Sequence, residues 1–314
     1  MNALPLPLIL GVKGLALTGE ERAFFKHVNP LGFILFRHNI DTPLQTKNLI
    51  AEMKEVVGRN QVHIMVDAEG GRVWRFSKAF GIERPPPAAV FGITYQKDPQ
   101  AALKACYTHY KTIALFLKEL GFTLNPVPVL DLYLEGMSDV VGDRAFSGDS
   151  DIVGALGGEV LRAMRDGGLF SVMKHMPGHG AALVDSHEEC PRVTLSQDAL
   201  KAHFQPFRFC NHAPFGMAAH IIYESIDPLN MATFSKKLVK DILREDIGFK
   251  GCLMTDDLYM GALQGVDPSK RVQNALDAGF DVALYGRGGV DVYKQAVKRL
   301  LPMCEKTFKR VFTS

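Results

Sequence analysis

Short, continuous apolar runs recur along the chain at Leu8 to Val12, Gly32 to Phe36, Val62 to Val66, Phe122 to Val127, Leu169 to Met173, Phe215 to Ala219, Gly251 to Met254 and Asp281 to Tyr285. Each has strand length without polar alternation, as expected of a strand covered on both faces. The stretches between them carry helical spacing. Thr42 caps and Pro43 opens one helix whose Leu49, Met53, Val56 and Val57 share a face before Gly58 stops it, and Ser235 starts another that closes near Gly248. Eight such strands alternating with helices predict an α/β fold, a single (β/α)8 TIM-type barrel over residues 1–314 with its active site at the C-terminal ends of the strands. The competitor is a doubly wound open sheet, but the first strand leads into Gly11-Val12-Lys13-Gly14 rather than a GxGxxG turn. No Gly/Ser/Pro linker divides the chain, and Pro85-Pro86-Pro87 reads as a rigid loop before a helix around Ala101 to Leu120.

Composition narrows the class. With 47% hydrophobic and 22% charged residues among 314, the chain can bury a large core. Thirty-six basic against 34 acidic side chains give +2, which offers no electrostatic footprint for nucleic acid or an anionic membrane. Cys106, Cys190, Cys210, Cys252 and Cys304 form no CxxC pair, arguing against a disulfide framework or zinc ribbon and for a reducing cytoplasm. The apolar start, Met1 to Gly11, lacks a basic region and soon meets Glu20-Glu21-Arg22, so neither a signal peptide nor a membrane span is expected. The expectation is a cytoplasmic, monomeric protein acting on a small molecule, with no cofactor and no metal.

Ionisable residues collect where barrel enzymes place their active sites: Asp67 ends the third strand, Asn125 and Asp131 follow the fourth, Lys174 and His175 end the fifth, His220 the sixth and Asp256 the seventh. After the fifth strand, a turn-rich loop through Pro177, Gly178 and Gly180 leads to Asp185-Ser186-His187. A carboxylate near an imidazole can fix its tautomer and stabilise its protonated form, as a general acid/base requires, although a solvated surface loop has the same composition. In Thr255-Asp256-Asp257-Leu258, the period of two sends adjacent side chains apart, so only one carboxylate is expected in the pocket. Asp256 is the choice, as nucleophile or electrostatic stabiliser, with Asp257 tied to backbone or a cation; both could instead cap the following helix. In Val66 to Arg75, Asp67 could accept hydrogen bonds from vicinal sugar hydroxyls with Arg75 completing the wall, or the same residues could form an internal ion-pair network.

Taken together these stretches closely resemble glycoside hydrolase family 3, and within it the compact single-barrel β-N-acetylglucosaminidases of bacterial cell-wall recycling. Lys174-His175-Met176-Pro177-Gly178-His179-Gly180 through Asp185-Ser186-His187 is similar to the family's KH(F/I)PGHG...DSH signature, Thr255-Asp256-Asp257-Leu258 with Met260 to its SDDLxM segment, and Val66 to Arg75 to its VDxEGGxVxR segment. Asn125 to Asp131 and Gly142-Asp143-Arg144 match further blocks, while Met176, Thr255 and Asp143 depart modestly from the pattern and Tyr285 to Gly289 matches weakly. The resemblance implies that Asp256 is the nucleophile, His187 the acid/base with Asp185 as its partner, and that Asp67, Arg75, Arg144, Lys174 and His175 hold a terminal N-acetylglucosamine. It implies retention through a covalent glycosyl-enzyme, and N-acetylglucosaminyl-β-1,4-anhydro-N-acetylmuramic acid, with or without its stem peptide, as substrate in cytoplasmic peptidoglycan recycling. The chain ends near Ser314, too soon for the second domain of larger members, so the expectation is a site built from one barrel.

Two rivals stand beside this reading. A metal-dependent barrel hydrolase could draw ligands from His175, His179, His187, His220 and Asp256, but no His-x-His follows the first strand and no HExxH frame occurs. A non-enzymatic sugar-binding protein on a disabled barrel is disfavoured by the presence of Asp256 together with Asp185 and His187.

Overall fold

The computed structural model describes residues 4–134, 141–182 and 190–312. Eight parallel strands close into a barrel in simple sequential order: β1 (Leu6–Gly11), β2 (Pro30–Leu35), β3 (His63–Val66), β4 (Leu124–Asn125), β5 (Phe170–Met176), β6 (Phe215–Ala218), β7 (Cys252–Asp257) and β8 (Val282–Tyr285), which returns to pair with β1. Every predicted apolar run overlaps one of these strands, and ring closure excludes the doubly wound alternative.

The absence of polar alternation in the runs has a direct cause. Successive side chains point to opposite faces, and both faces are dry. Inward-facing Ile9, Ile34, Met65, Leu124, Val172, Met217, Met254 and Leu284 fill the barrel, while Leu8, Leu10, Phe33, Leu35, Ile64 and Val66 join the larger core beneath the helices. The predicted helix is Pro43–Val57, with the Thr42 hydroxyl accepting from the Gln45 N–H and Gly58 in the left-handed region (φ 64°). Ser235 stands just ahead of the π-helix Leu238–Asp246, its hydroxyl accepting from the Leu238 N–H at 3.0 Å.

The segment from β3 to the helix Pro99–Leu120 is less open than the sequence suggests, for it contains a further helix, Ala89–Lys97. That helix begins without a side-chain cap and ends where Asp98 caps its successor, so neither of its ends carries a strong signal. A parallel pair of two-residue strands, Arg192–Val193 and Ile222–Tyr223, lies outside the barrel. Among the described residues no helix is long and apolar enough to cross a membrane.

The N-terminal mouth of the barrel is plugged by the C-terminal helix Glu305–Val311. Met303 and Val311 complete the inner core, and the buried His63 ring stacks on Phe312 with centroids 4.2 Å apart and places Nε2 2.7 Å from the Val311 carbonyl. Burial pulls the His63 pKa from 6.5 down to about 4, outweighing the carbonyl hydrogen bond that favours the cation. The folded state thus keeps this ring neutral at pH values where the unfolded chain protonates it. Its contribution is complete above pH 6.5 and is lost as the pH falls toward 4, at most about 1.4 kcal/mol per pH unit. Urea unfolding midpoints measured between those limits should fall with acidification, and His63→Phe, which keeps a ring but cannot protonate, should make the decline shallower.

Candidate active site

At the C-terminal mouth, a cavity of about 360 Å3 is bounded by strand ends and the loops that follow them. The loop after β3 turns sharply because Gly70 (φ 99°) and Gly71 (φ 53°) occupy the left-handed region, and a Cβ on Gly70 would lie 2.4 Å from the Pro86 carbonyl oxygen. The Gly71 N–H donates to the Pro85 carbonyl at 2.8 Å, so the proline run braces this turn as a rigid loop. The chain then doubles back, with the Glu69 N–H donating to the Val73 carbonyl at 3.0 Å, and Arg75 Nη2 arrives 3.2 Å from Asp67 Oδ2.

Lys174, projecting from β5, stands between two carboxylates, its Nζ 3.3 Å from Asp67 Oδ1 and 2.6 Å from Glu69 Oε1. Arg144, from the loop after β4, grips Glu69 with both Nε and Nη2 at 2.8 Å, a bidentate fork. Burial alone would raise the pKa values of Asp67 and Glu69. The Lys174 charge, joined by Arg75 at Asp67 and by Arg144 at Glu69, overrides it and holds both below the ordinary carboxylate range. The internal ion-pair network expected as one reading of Asp67 exists, and its members line the cavity.

Beneath it, the fully buried Asp131 accepts from His175 Nδ1 at 2.6 Å and from the His179 backbone N–H at 2.6 Å. Burial opposes ionisation there too, but His175 and His179 draw the Asp131 pKa down to about 2. This contact fixes the orientation of the His175 ring, and the residue lines the cavity.

Across the mouth, β7 ends on Asp256 and Asp257. Both contribute to the cavity lining. The strand register shifts between β7 and β8 at this point. The two carboxylates are nevertheless held differently. Asp257 Oδ1 accepts the backbone N–H groups of Tyr259 at 3.0 Å and Gly286 at 2.9 Å, as the expected tie to backbone, whereas Asp256 Oδ1 accepts the Asp257 N–H at 2.7 Å. Burial pushes the Asp257 pKa up to about 6 against those hydrogen bonds. His220 is not a lining residue; its Nε2 donates to the Asp257 carbonyl at 3.1 Å while Nδ1 lies 2.6 Å from the Thr233 hydroxyl, so it braces the end of β7.

Thus Asp67, Arg75, Arg144, Lys174, His175 and Asp256 are brought together around one cavity. Asp185 and His187 lie outside the described residues. Sequence reasoning did not single out Glu69, the acceptor shared by Lys174 and Arg144, nor Asp131 as the His175 partner. Both signals were available, Glu69 in the acid-rich block after β3 and Asp131 in the block after β4. Tyr259, Gln264 and Arg287 also line the cavity and had no distinctive pattern. No cluster of three His, Cys, Asp or Glu side chains suited to a metal occurs among the described residues.

Because Glu69 compensates two nearly buried cations, Glu69→Ala should cost about 3–5 kcal/mol, the range for removing one partner of a buried pair. Urea unfolding measures this, and a loss below about 1 kcal/mol, the size of an exposed pair, would show that solvent reaches the network freely.

Comparison with known proteins follows the same lines. The family model for the glycosyl hydrolase family 3 N terminal domain matches residues 9–311. A β-hexosaminidase of Alkalilimnicola ehrlichii is 38% identical over 282 residues, covering 88% of this chain and 80% of that protein. The crystal structure of native NagZ from Neisseria gonorrhoeae superposes with a TM-score of 0.90 at 33% identity, over 99% of this chain and 90% of that one. The same protein in complex with N-trifluoroacetyl-D-glucosamine gives 0.89 at 32% identity, over 99% and 91%. With its closed barrel, its strand-end carboxylates and these relatives, the chain belongs to glycosyl hydrolase family 3 and is a glycoside hydrolase of the β-hexosaminidase kind.

Proposed function

We propose that the protein is a retaining exo-β-N-acetylglucosaminidase that removes terminal β-1,4-linked N-acetylglucosamine from muropeptides and their anhydro forms during cytoplasmic peptidoglycan recycling, with the whole site carried by one barrel. The observation that carries the reading is the shared cavity: Asp256 on one side faces a wall of buried, charge-paired donors and acceptors on the other. A neutral sugar rich in hydroxyls suits such a wall, because fixed carboxylates accept from hydroxyl groups while fixed cations donate to their oxygens. The N-trifluoroacetyl-D-glucosamine in the gonococcal relative supports an N-acylated glucosamine as the sugar.

In this mechanism Asp67, Arg75, Arg144, Lys174 and His175 hold the terminal sugar, and Asp256 attacks the anomeric carbon through an oxocarbenium-like transition state. The bond from that carbon to the departing oxygen breaks as His187 delivers a proton to the oxygen, leaving a glycosyl ester on Asp256. His187 then takes a proton from water, which attacks the same carbon, frees Asp256 and restores the original anomeric configuration. Asp185 orients His187 and stabilises its cationic form. The cavity adjoins a space of about 500 Å3 lined by Phe36, Arg37, His38, Arg75 and Arg287, and in this reading it takes the aglycone, since its positive charge suits the carboxylate of a muramic acid.

The deciding assay compares p-nitrophenyl N-acetyl-β-glucosaminide with the β-glucoside. Wild-type protein should cleave the first in strong preference, and Asp256→Ala should abolish the reaction. A 2-fluoro glycoside should label residue 256, and label found elsewhere removes Asp256 from the nucleophilic role. His187→Ala should slow turnover of a substrate with a poor leaving group by about 10²–10⁴-fold while leaving sugar affinity nearly intact. Asp185→Ala should act through His187, so the double variant should lose little more than His187→Ala alone; additive losses would break the assigned coupling.

A further inference from the structure

At the opposite end of the barrel, a second cavity of about 630 Å3 opens at the starts of β5, β6 and β7. It is larger than the catalytic cavity and within the range of small-molecule sites, about 300–1,000 Å3. Leu161, Leu169 and Pro214 give it apolar walls. Its charged lining is of one sign. Arg162 and Arg165 come from the helix Ser150–Asp166, Lys250 from the turn into β7 and Arg310 from the C-terminal helix, and among the described residues no carboxylate side chain lines the cavity.

The acids that meet three of these cations stand outside the lining: Glu159 pairs with Arg162, Asp166 with Arg165 at 3.3 Å, and Asp281 with Arg310. Lys250 makes no ion pair among the described residues. A second observation points inward. Ser171, the second residue of β5, lines the cavity, is 2% exposed, and its hydroxyl has no hydrogen-bond partner among the described residues. A buried hydroxyl is normally satisfied, and an acceptor inside the cavity would satisfy this one.

We propose that this cavity is a binding site for a small organic anion, a carboxylate on an apolar aromatic or aliphatic body. The body lies against Leu161, Leu169 and Pro214, the carboxylate faces Lys250 and Arg165, and the Ser171 hydroxyl donates to a ligand oxygen. The site is separate from the catalytic one. Lys174 follows Ser171 by three residues along β5, about 10 Å up the same strand, and the packed barrel core lies between the two mouths.

Isothermal titration of the full chain with naphthalene-2-carboxylate tests it. The expected result is a Kd below about 1 mM that weakens as salt is raised. The double charge reversal Arg165→Glu with Lys250→Glu should weaken binding at least about tenfold, the scale of losing a direct charge contact. Both residues are far from the Asp256 cavity, so hydrolysis of the aryl N-acetylglucosaminide should be unchanged, which also reports that the variant is folded. Ser171→Ala should weaken binding less than the charge reversal does. No binding up to about 5 mM, equal affinity for neutral 2-naphthalenemethanol, equal affinity for inorganic phosphate, or unchanged affinity in the folded charge-reversal variant would each overturn the proposal.

Discussion

The site depends on the compensation of buried charge. Asp67 and Glu69 on one side, with Lys174, Arg144 and Arg75 on the other, sit where solvent is largely excluded, and leaving any of the buried charges without its opposite would carry a heavy desolvation cost. The network draws on the end of β3, the loop beyond it, the loop after β4 and the end of β5, so satisfying it fixes four segments relative to one another. Loop geometry follows from that requirement: the paired glycines exist to return Arg75 to Asp67, and the proline run supports the turn they make.

The same network presents a sugar with donors and acceptors already oriented. In a partly dry cavity such groups act strongly because little reorganisation is needed when substrate arrives. Asp131 extends the principle one layer deeper, since a carboxylate held ionised by His175 and the His179 N–H keeps the His175 ring in one orientation. On the far side, Asp257 accepts from two backbone amides and His220 grips its carbonyl, while Asp256 accepts the Asp257 N–H at the end of the strand.

The two mouths of the barrel divide the work. The N-terminal mouth is sealed by the C-terminal helix, with His63 stacked and hydrogen-bonded against its last turn, and at its margin lies the basic cavity beside Ser171. The C-terminal mouth stays open and polar. One strand, β5, carries the contrast along its length: Ser171 borders the lower cavity, Val172 packs inside, and Lys174 and His175 form the upper site.

Much of this was legible in the sequence, because a barrel strand dry on both faces must be an uninterrupted apolar run, and a polar residue just past its end must face the mouth. The eight strands, Asp67, Lys174, His175 and Asp256 all follow from that rule. Helix Ala89–Lys97 did not, since a helix without caps leaves no local mark. Nor did the pairing of Glu69 with both Lys174 and Arg144, or of Asp131 with His175, because these partners are separated by between 44 and 105 residues along the chain, with Glu69 and Arg144 75 apart and Asp131 and His175 44 apart. Local composition determined which strands form and which residues stand at their ends. Tertiary folding decided which of those residues meet: strand order sets the ends of the third and fifth strands on either side of the short fourth, where their charges pair, and closure of the ring carries the seventh strand, with Asp256, round to the same mouth.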